Sequence, residues 1–164
     1  MKKKEWGPLI WNFLHTLSVK IKEESFESQK NNLLNIFRMI ISTLPCPYCS
    51  QHALTLFKNA NKRFIVNKIS FIDFIYVFHN QVNRKLRKQI YPKDDLIKIY
   101  KKKNLQKFLK DLINVYNFKS NNLRLMLVNS GNKQITNKVI KIISDNKEHY
   151  IIDKEEDHEV EEHE

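Results

Sequence analysis

Glycine and proline are scarce in this chain, and their scarcity limits the accessible folds more than any other feature. The 164 residues include two Gly and four Pro, which is too few for the turns of a β-sandwich or a Rossmann-type sheet. Apolar residues make up 41% of the chain, enough for a hydrophobic core at this length. They recur at helical spacing, as in the stripe of Leu9, Phe13, Leu17 and Ile21. The sequence therefore predicts an all-α fold.

Helix start and stop signals divide the first half of the chain. Pro8 suits the first turn of a helix that runs to about Ile21. Ser25 or Ser28 suits the N-cap of a second helix, which must end before Pro45 because a residue preceding proline is pushed out of the helical region. These signals predict two helices before the first cysteine.

Later signals predict further helices. A third is expected to begin at the segment Cys46–Cys49, and a fourth at Ser70 with Pro92 breaking it. A short fifth helix from about Asp94 to Lys103 follows, and another passes through Leu109. Residues 121–150 remain open between short strands around 130–132 and one more helix, and no internal repeat is present.

Charge is distributed unevenly along the chain. Residues 153–164 carry eight acidic groups and one Lys, a net of −7, so the chain's formal charge of +11 leaves +18 on the rest. This predicts a disordered acidic tail and a basic body that could bind nucleic acid, an anionic membrane or an acidic partner. Lysines on solvated helix faces explain the surplus of positive charge better than a binding surface does, because no Arg-rich stripe is present. Nucleic-acid binding therefore lacks specific support.

Targeting signals are weak. No apolar stretch is long enough to span a bilayer, and Gly7-Pro8 interrupts the apolar run that follows the basic start, without a small-residue cleavage site. The sequence therefore predicts an intracellular protein with no membrane span.

The two cysteines form one Cys46-Pro47-Tyr48-Cys49 motif, for which four roles compete. Zinc needs a fourth ligand beyond Cys46, Cys49 and His52, so no metal site is predicted. Haem attachment would require His where Ser50 stands. Two buried structural thiols are less favoured, because prolines fix the backbone where a helix begins and a helix N-terminus stabilises thiolate. A redox pair is the leading interpretation.

Glutaredoxins share the tetrapeptide, but in this chain about forty helical residues precede it. The cis-proline loop and the glycine pair that follow the motif in glutaredoxins are absent from this sequence.

Two further segments sharpen the interpretation, and the three together resemble the Erv/ALR family of FAD-linked sulfhydryl oxidases. Trp6-Gly7-Pro8-x-x-Trp11-x-x-x-His15, Pro45-Cys46-x-x-Cys49 and His79-Asn80-x-Val82-Asn83-x-x-Leu86-x-Lys88 occur in the family's order, over roughly residues 5 to 100. A single His or Trp at one of these positions is more often a residue of the hydrophobic core, so the resemblance depends on the three segments together. The opening resembles most the short members encoded by large DNA viruses.

The resemblance implies a four-helix bundle that holds FAD, a short fifth helix and a homodimer. It divides the chain into an oxidase domain at 1–103, a partly helical extension of uncertain fold at 104–150 and an acidic tail at 151–164. The implied activity is disulfide formation in protein dithiols, such as virion proteins or a thioredoxin-like relay, with O2 as acceptor and H2O2 as product. The implied setting is the host cytoplasm or the virion, with the mitochondrial intermembrane space as the alternative.

The resemblance also implies residue roles. Cys46 would exchange with the substrate and Cys49 would lie against the flavin. Lys88 would contact the phosphates, and the remaining cofactor-binding set would be Gly7, Trp11, His15, Tyr48, His79, Asn80, Val82, Asn83, Leu86 and Tyr100.

Some positions depart from the family pattern. Lys93 stands where the first cysteine of a second disulfide would fall, Arg87 replaces a common glycine, and Tyr100 replaces a frequent flavin-stacking Trp. No shuttle cysteine pair is present, so Cys46 must meet the partner directly or through another protein. A basic binding module and glutaredoxin-like thiol exchange remain the alternative functions.

Overall fold

Helices account for nearly all of the regular structure. The computed structural model describes residues 3–116 and 123–152, and this part of the chain contains no β-strand, only an isolated antiparallel bridge between Ile21 and Tyr150. The all-α prediction is confirmed. Short 3-10 turns lie at Lys62–Phe64 and Lys147–His149, and the helices are α1 Lys3–Lys20, α2 Phe26–Ser42, α3 Pro47–Asn59, α4 Lys68–Lys85, α5 Leu96–Lys101, α6 Leu105–Tyr116 and α7 Leu123–Asp145.

The predicted start of α1 is wrong. The helix already includes Lys3, so Pro8 lies inside it rather than in its first turn. The extra turn carries Trp6, whose side chain is 5% exposed and belongs to the main core. Burial of this indole favours the extra turn even though Pro8 has no N–H for the helical ladder.

The predicted start of α4 is also wrong, by two residues. Asn67 is the N-cap: its side chain accepts from the Ser70 N–H at 2.9 Å, while Ser70 Oγ accepts from the Asn67 N–H at 2.9 Å. This capping box makes Ser70 the third helical residue rather than the first. The predicted N-cap of α2 is confirmed at Ser25, although its side chain makes no capping bond.

Helix α4 ends at Lys85, well before Pro92, the residue predicted to break it. Arg87 has a φ of +54°. Its N–H donates to Arg84 O at 3.1 Å and the Lys88 N–H donates to Asn83 O at 2.9 Å. These two bonds form a Schellman cap, whose left-handed residue is usually glycine. The turn therefore forms with arginine at the position where a glycine was expected.

The extension folds onto the same core. Residues 123–145 form α7, so the strands considered around 130–132 are excluded, whereas the helix predicted through Leu109 is confirmed as α6. After α7, the chain returns to the end of α1, where the Ile151 N–H donates to Lys20 O at 2.7 Å. Residues 151 and 152 of the tail predicted at 151–164 therefore belong to the folded part, and its remaining residues lie outside the described part of the chain. Extension residues that join the main core are Leu105, Phe108, Leu112, Val115, Val139, Ile143 and Tyr150.

Helices α1 and α4 pack against each other, as do α2 and α3. Phe37 of α2 lies at the centre of their junction, with its ring centroid 4.9 Å from that of Phe78 and 5.5 Å from that of Phe57. This packing fixes the relative positions of the helices that form the site. Among the described helices, none combines the length and apolar character needed to cross a membrane.

Candidate active site

The two cysteines form a disulfide at the start of α3. Cys46 is the N-cap and Pro47 is the first helical residue, so the predicted helix start is confirmed. The Cys49 N–H donates to Cys46 Sγ at 3.2 Å. Ser50 Oγ donates to Ile41 O at 2.6 Å and fixes this end of α3 against α2. The pair therefore lies at the positive end of a helix, where a thiolate is stabilised when the disulfide opens.

A cavity of about 550 Å³ lies beside the disulfide, within the size range of small-molecule and cofactor sites. Its wall includes Cys49 but not Cys46. Among the described residues, three lysines and no carboxylate line the cavity, so the cavity favours an anionic ligand. Its other polar and aromatic wall residues include Trp6, Trp11, Asn12, Tyr48, His52, His79, Asn83, Gln89, Tyr91 and Tyr100.

Two buried histidines lie at the side of this cavity. His15 Nε2 and His79 Nδ1 are 3.0 Å apart, so one of them donates to the other. Burial, with a smaller effect from His79, lowers the pKa of His15 to about 3. Burial, with a smaller effect from Lys88, lowers the pKa of His79 to about 4. Both rings are therefore neutral at pH 7.

An aromatic stack holds this pair in place. The Trp11 and His79 rings are stacked with centroids 3.9 Å apart and planes 13° apart. The ring of Tyr100 stacks on His15 with a centroid distance of 4.9 Å. Burial, followed by the hydrogen bond to Tyr91, raises the pKa of Tyr100, so its hydroxyl stays protonated. The stack presents the indole of Trp11 and the imidazole of His79 to the cavity.

Asn80 faces away from the cavity wall and binds the backbone of the segment after α4. Its Oδ1 accepts from the Tyr91 N–H at 2.7 Å, and its Nδ2 donates to Tyr91 O at 3.1 Å. Tyr91 in turn lines the cavity, with its hydroxyl 3.1 Å from that of Tyr100. Asn80 therefore positions one side of the cavity.

We expect Asn80→Ala to lower the free energy of unfolding by about 2 kcal/mol, because the N–H and C=O groups of Tyr91, both partly buried, lose their partners. Chemical denaturation measures this loss. Gln81→Ala, on an exposed neighbour in the same helix, should leave stability within about 0.5 kcal/mol of the wild type. Equal effects of the two substitutions would contradict the assigned role.

The structure brings most of the predicted site residues together. Three of them are absent from the cavity wall: Cys46, His15, which lies behind His79, and Asn80. Tyr48 lines the cavity although 73% of its side chain is exposed. The predicted residues that do line it are Gly7, Trp11, Tyr48, Cys49, His79, Val82, Asn83, Leu86, Lys88 and Tyr100.

The sequence reasoning missed several wall residues. Lys3 could have been found, because it precedes Gly7 by one helical turn. Lys85 could have been found as well, because it follows Val82 by about one turn of α4. No sequence pattern predicts that Tyr91 lines the cavity, because its position depends on the turn at Arg87. His52 lines the cavity, and the described residues hold no group of three His, Cys, Asp or Glu that could bind a metal ion.

Comparison with known proteins gives one consistent result. The chain matches the model of the Erv1 / Alr family over residues 8–108. It is 28% identical over 101 residues to the FAD-linked sulfhydryl oxidase of African swine fever virus (isolate Pig/Kenya/KEN-50/1950), covering 62% of this chain and 84% of that protein.

Two further relatives agree. The putative FAD-linked sulfhydryl oxidase 347L of Invertebrate iridescent virus 6 is 29% identical over 93 residues, covering 53% of this chain and 84% of that protein. The FAD-linked sulfhydryl oxidase ERV1 of Oryza sativa subsp. japonica is 29% identical over 92 residues, covering 56% of this chain and 47% of that protein. No solved structure matches the chain.

Proposed function

The chain belongs to the Erv1 / Alr family, and we propose that it is an FAD-dependent thiol oxidase that forms disulfides in protein dithiols. The observation that carries this proposal is the position of the Cys46–Cys49 disulfide. Cys49 lies in the wall of the cavity and Cys46 lies outside it. This asymmetry suits a pair that takes electrons from a protein on one side and gives them to a cofactor on the other.

The residues of the cavity fit FAD. Lys3, Lys85 and Lys88 offer three cations to a diphosphate, and none of the described residues adds a carboxylate to the wall. The flat Trp11–His79 stack offers an aromatic surface to a ring system. His15 Nδ1 is buried and has no hydrogen-bond partner among the described residues, so the imidazole pair keeps one unused nitrogen beside the site.

The unequal positions of the cysteines assign their roles. A substrate thiolate attacks Cys46 Sγ, and the Cys49 thiolate leaves as the Cys46–Cys49 bond breaks. The second substrate thiolate then attacks the substrate sulfur of the mixed disulfide, so that the substrate is oxidised and Cys46 leaves as thiolate. Bound FAD supplies a two-electron acceptor for the reduced pair and allows transfer onward to O2, giving H2O2.

The protein supplies the setting for these steps. The start of α3 and the Cys49 N–H stabilise the thiolate that forms at Cys46. The neutral His15–His79 pair holds the indole of Trp11 in place through the stacked His79 ring. Apolar wall residues such as Ile10 and Phe78 limit the access of water to Cys49.

We expect the purified protein to be yellow, and Trp11→Ala to weaken FAD binding roughly 10- to 100-fold, because it removes an aromatic wall. Flavin absorbance and titration with free FAD measure these effects. Phe64→Ala, at a side chain that is 75% exposed, is the matched aromatic control and should bind FAD like the wild type. A folded protein that never takes up FAD would refute the proposed function.

The remaining expectations are part of the same proposal. The viral relatives support action on proteins of an infected cell or virion, and a homodimer remains a prediction. Glutaredoxin-like exchange is not supported, because in the described chain a helix rather than a strand precedes the cysteine motif.

A further inference from the structure

Negative charge is nearly absent from the part of the chain that holds the disulfide. Residues 28–93 contain eleven Lys or Arg and a single acidic residue, Asp73. Asp73 is itself compensated, since its Oδ1 lies 2.8 Å from Lys93 Nζ. Nearly the whole of α2 and all of α3 and α4 fall in this stretch, so the helices around the redox pair carry many more cations than carboxylates. Glu23 and Glu24, which precede the stretch, lie at the other end of these helices, where they interact with Lys68 at the start of α4.

The positive charge reaches the disulfide. Lys3 and Lys85 line the cavity that Cys49 borders. Burial, with additional effects from Lys85 and then Lys3, lowers the pKa of His52, which follows Cys49 by one helical turn. These two lysines therefore act electrostatically on His52, in the second turn of α3.

Two further cations stand outside the cavity wall and are exposed to a partner. Arg84 is adjacent to Lys85 on α4. Arg38 lies on α2, about one helical turn before Ile41, the residue that binds Ser50 of α3. The cavity lysines would be compensated by a bound diphosphate, whereas Arg38 and Arg84 would stay available to a protein that approaches Cys46.

We propose that Arg38 and Arg84 flank Cys46 on one surface, called here the basic exchange surface, and that this surface selects dithiol substrates whose cysteines are flanked by Asp or Glu. The inference rests on the proposed function and names its substrate class. Complementary charge accelerates encounter and favours the correct orientation. Acidic neighbours disfavour the thiolate of the free substrate, and the cations of this surface offset that effect in the encounter complex.

An acidic protein fits this surface better than a nucleic acid does. Both would be attracted by cations. Only a partner with thiols can use the disulfide around which these cations lie, because exchange at Cys46 needs a sulfur nucleophile. The position of the charge, rather than its total, therefore favours a protein substrate.

The test compares two short peptides that share one Cys-x-x-Cys sequence and differ only in carrying Glu or Lys at the flanking positions. With the FAD-loaded full chain, we expect kcat/KM for the Glu peptide to exceed that for the Lys peptide on the order of tenfold at low ionic strength. The two values should converge at about 0.5 M salt, where charges are screened within a few Å.

Matched charge reversals locate the effect. Arg38→Glu with Arg84→Glu should abolish the preference for the Glu peptide. Lys22→Glu with Lys147→Glu changes the net charge equally at the other end of α1, where the Lys22 N–H donates to His149 O at 2.9 Å, and should preserve the preference. Turnover of dithiothreitol, a small uncharged dithiol, should be the same in all three proteins.

The outcomes separate the two proposals. No turnover of dithiothreitol would overturn the proposed function itself. Normal dithiothreitol turnover with equal rates for the two peptides would overturn the substrate class alone. An equal loss of the Glu-peptide preference in both double variants would also overturn it, because net charge rather than this surface would then explain the preference. Tight binding of a short DNA duplex in place of any peptide preference would identify a nucleic-acid surface and overturn the proposal as well.

Discussion

Cys49→Ser is expected to abolish thiol oxidation, with kcat/KM falling on the order of 10³-fold or more, while FAD stays bound. Cys49 is the cysteine in the cavity wall, so its loss cuts the electron path without removing the cavity. Oxygen consumption with a dithiol measures turnover, and flavin absorbance measures cofactor retention.

The same variant tests the order of the two cysteines. With Cys49 gone, the Cys46 thiolate should attack a substrate peptide supplied as a disulfide-linked dimer, keep one peptide as a mixed disulfide visible by mass spectrometry and release the other as thiolate. Cys46→Ser should trap none, because Cys49 lies inside the cavity wall. Thr55→Ser, at an exposed position of the same helix, is the control and should oxidise dithiols normally. Unchanged oxygen consumption in Cys49→Ser would exclude the assignment.

Mild acid is expected to destabilise the protein. His15 and His79 have a pKa of about 3 and about 4 in the folded chain, against 6.5 for the ordinary group. Below pH 6.5 the unfolded chain takes up protons that the folded chain does not, so the stability contributed by the neutral pair is complete above pH 6.5 and is lost as the pH falls toward 4. The free energy of unfolding should drop on the order of 3 kcal/mol between pH 7 and pH 5.

Denaturant titrations at several pH values measure this slope. His15→Gln should reduce the slope by about half, because one of the two buried imidazoles is removed. Gln81→Ala, at an exposed and uncharged side chain of α4, is the control and should keep the slope of the wild type. A free energy of unfolding that does not change between pH 7 and pH 5 would show that the pair is not buried in its neutral form.

The all-α class could be predicted from the sequence, because the helical spacing of apolar residues and the scarcity of glycine favour helices through local interactions. The sequence was insufficient for helix ends that depend on packing. Trp6 extends α1 past Pro8 because the indole is buried, and no local signal reports burial. Asn67 displaced Ser70 as the cap because both residues are good caps and only the geometry of the chain entering α4 chooses between them.

The site was predictable where its residues fall on one helix, as His79 and Asn83 do on α4. It was less predictable where a turn carries residues into place. Tyr91 reaches the cavity because Arg87 turns the chain and Asn80 holds it, and neither contact has a spacing rule. Likewise, the sequence could not distinguish a residue that lines the cavity, such as Trp11, from one that supports it, such as His15.

The packing of α6 and α7 bears on how long a functional member of this family must be. The family match ends at residue 108, in the first turn of α6, yet Leu112, Val139 and Ile143 continue the core beyond it. A chain cut at residue 108 would leave an apolar face of α1 and α2 open to water. The minimal folding unit of this chain therefore extends past the family match, to the end of α7 and the bridge at Tyr150.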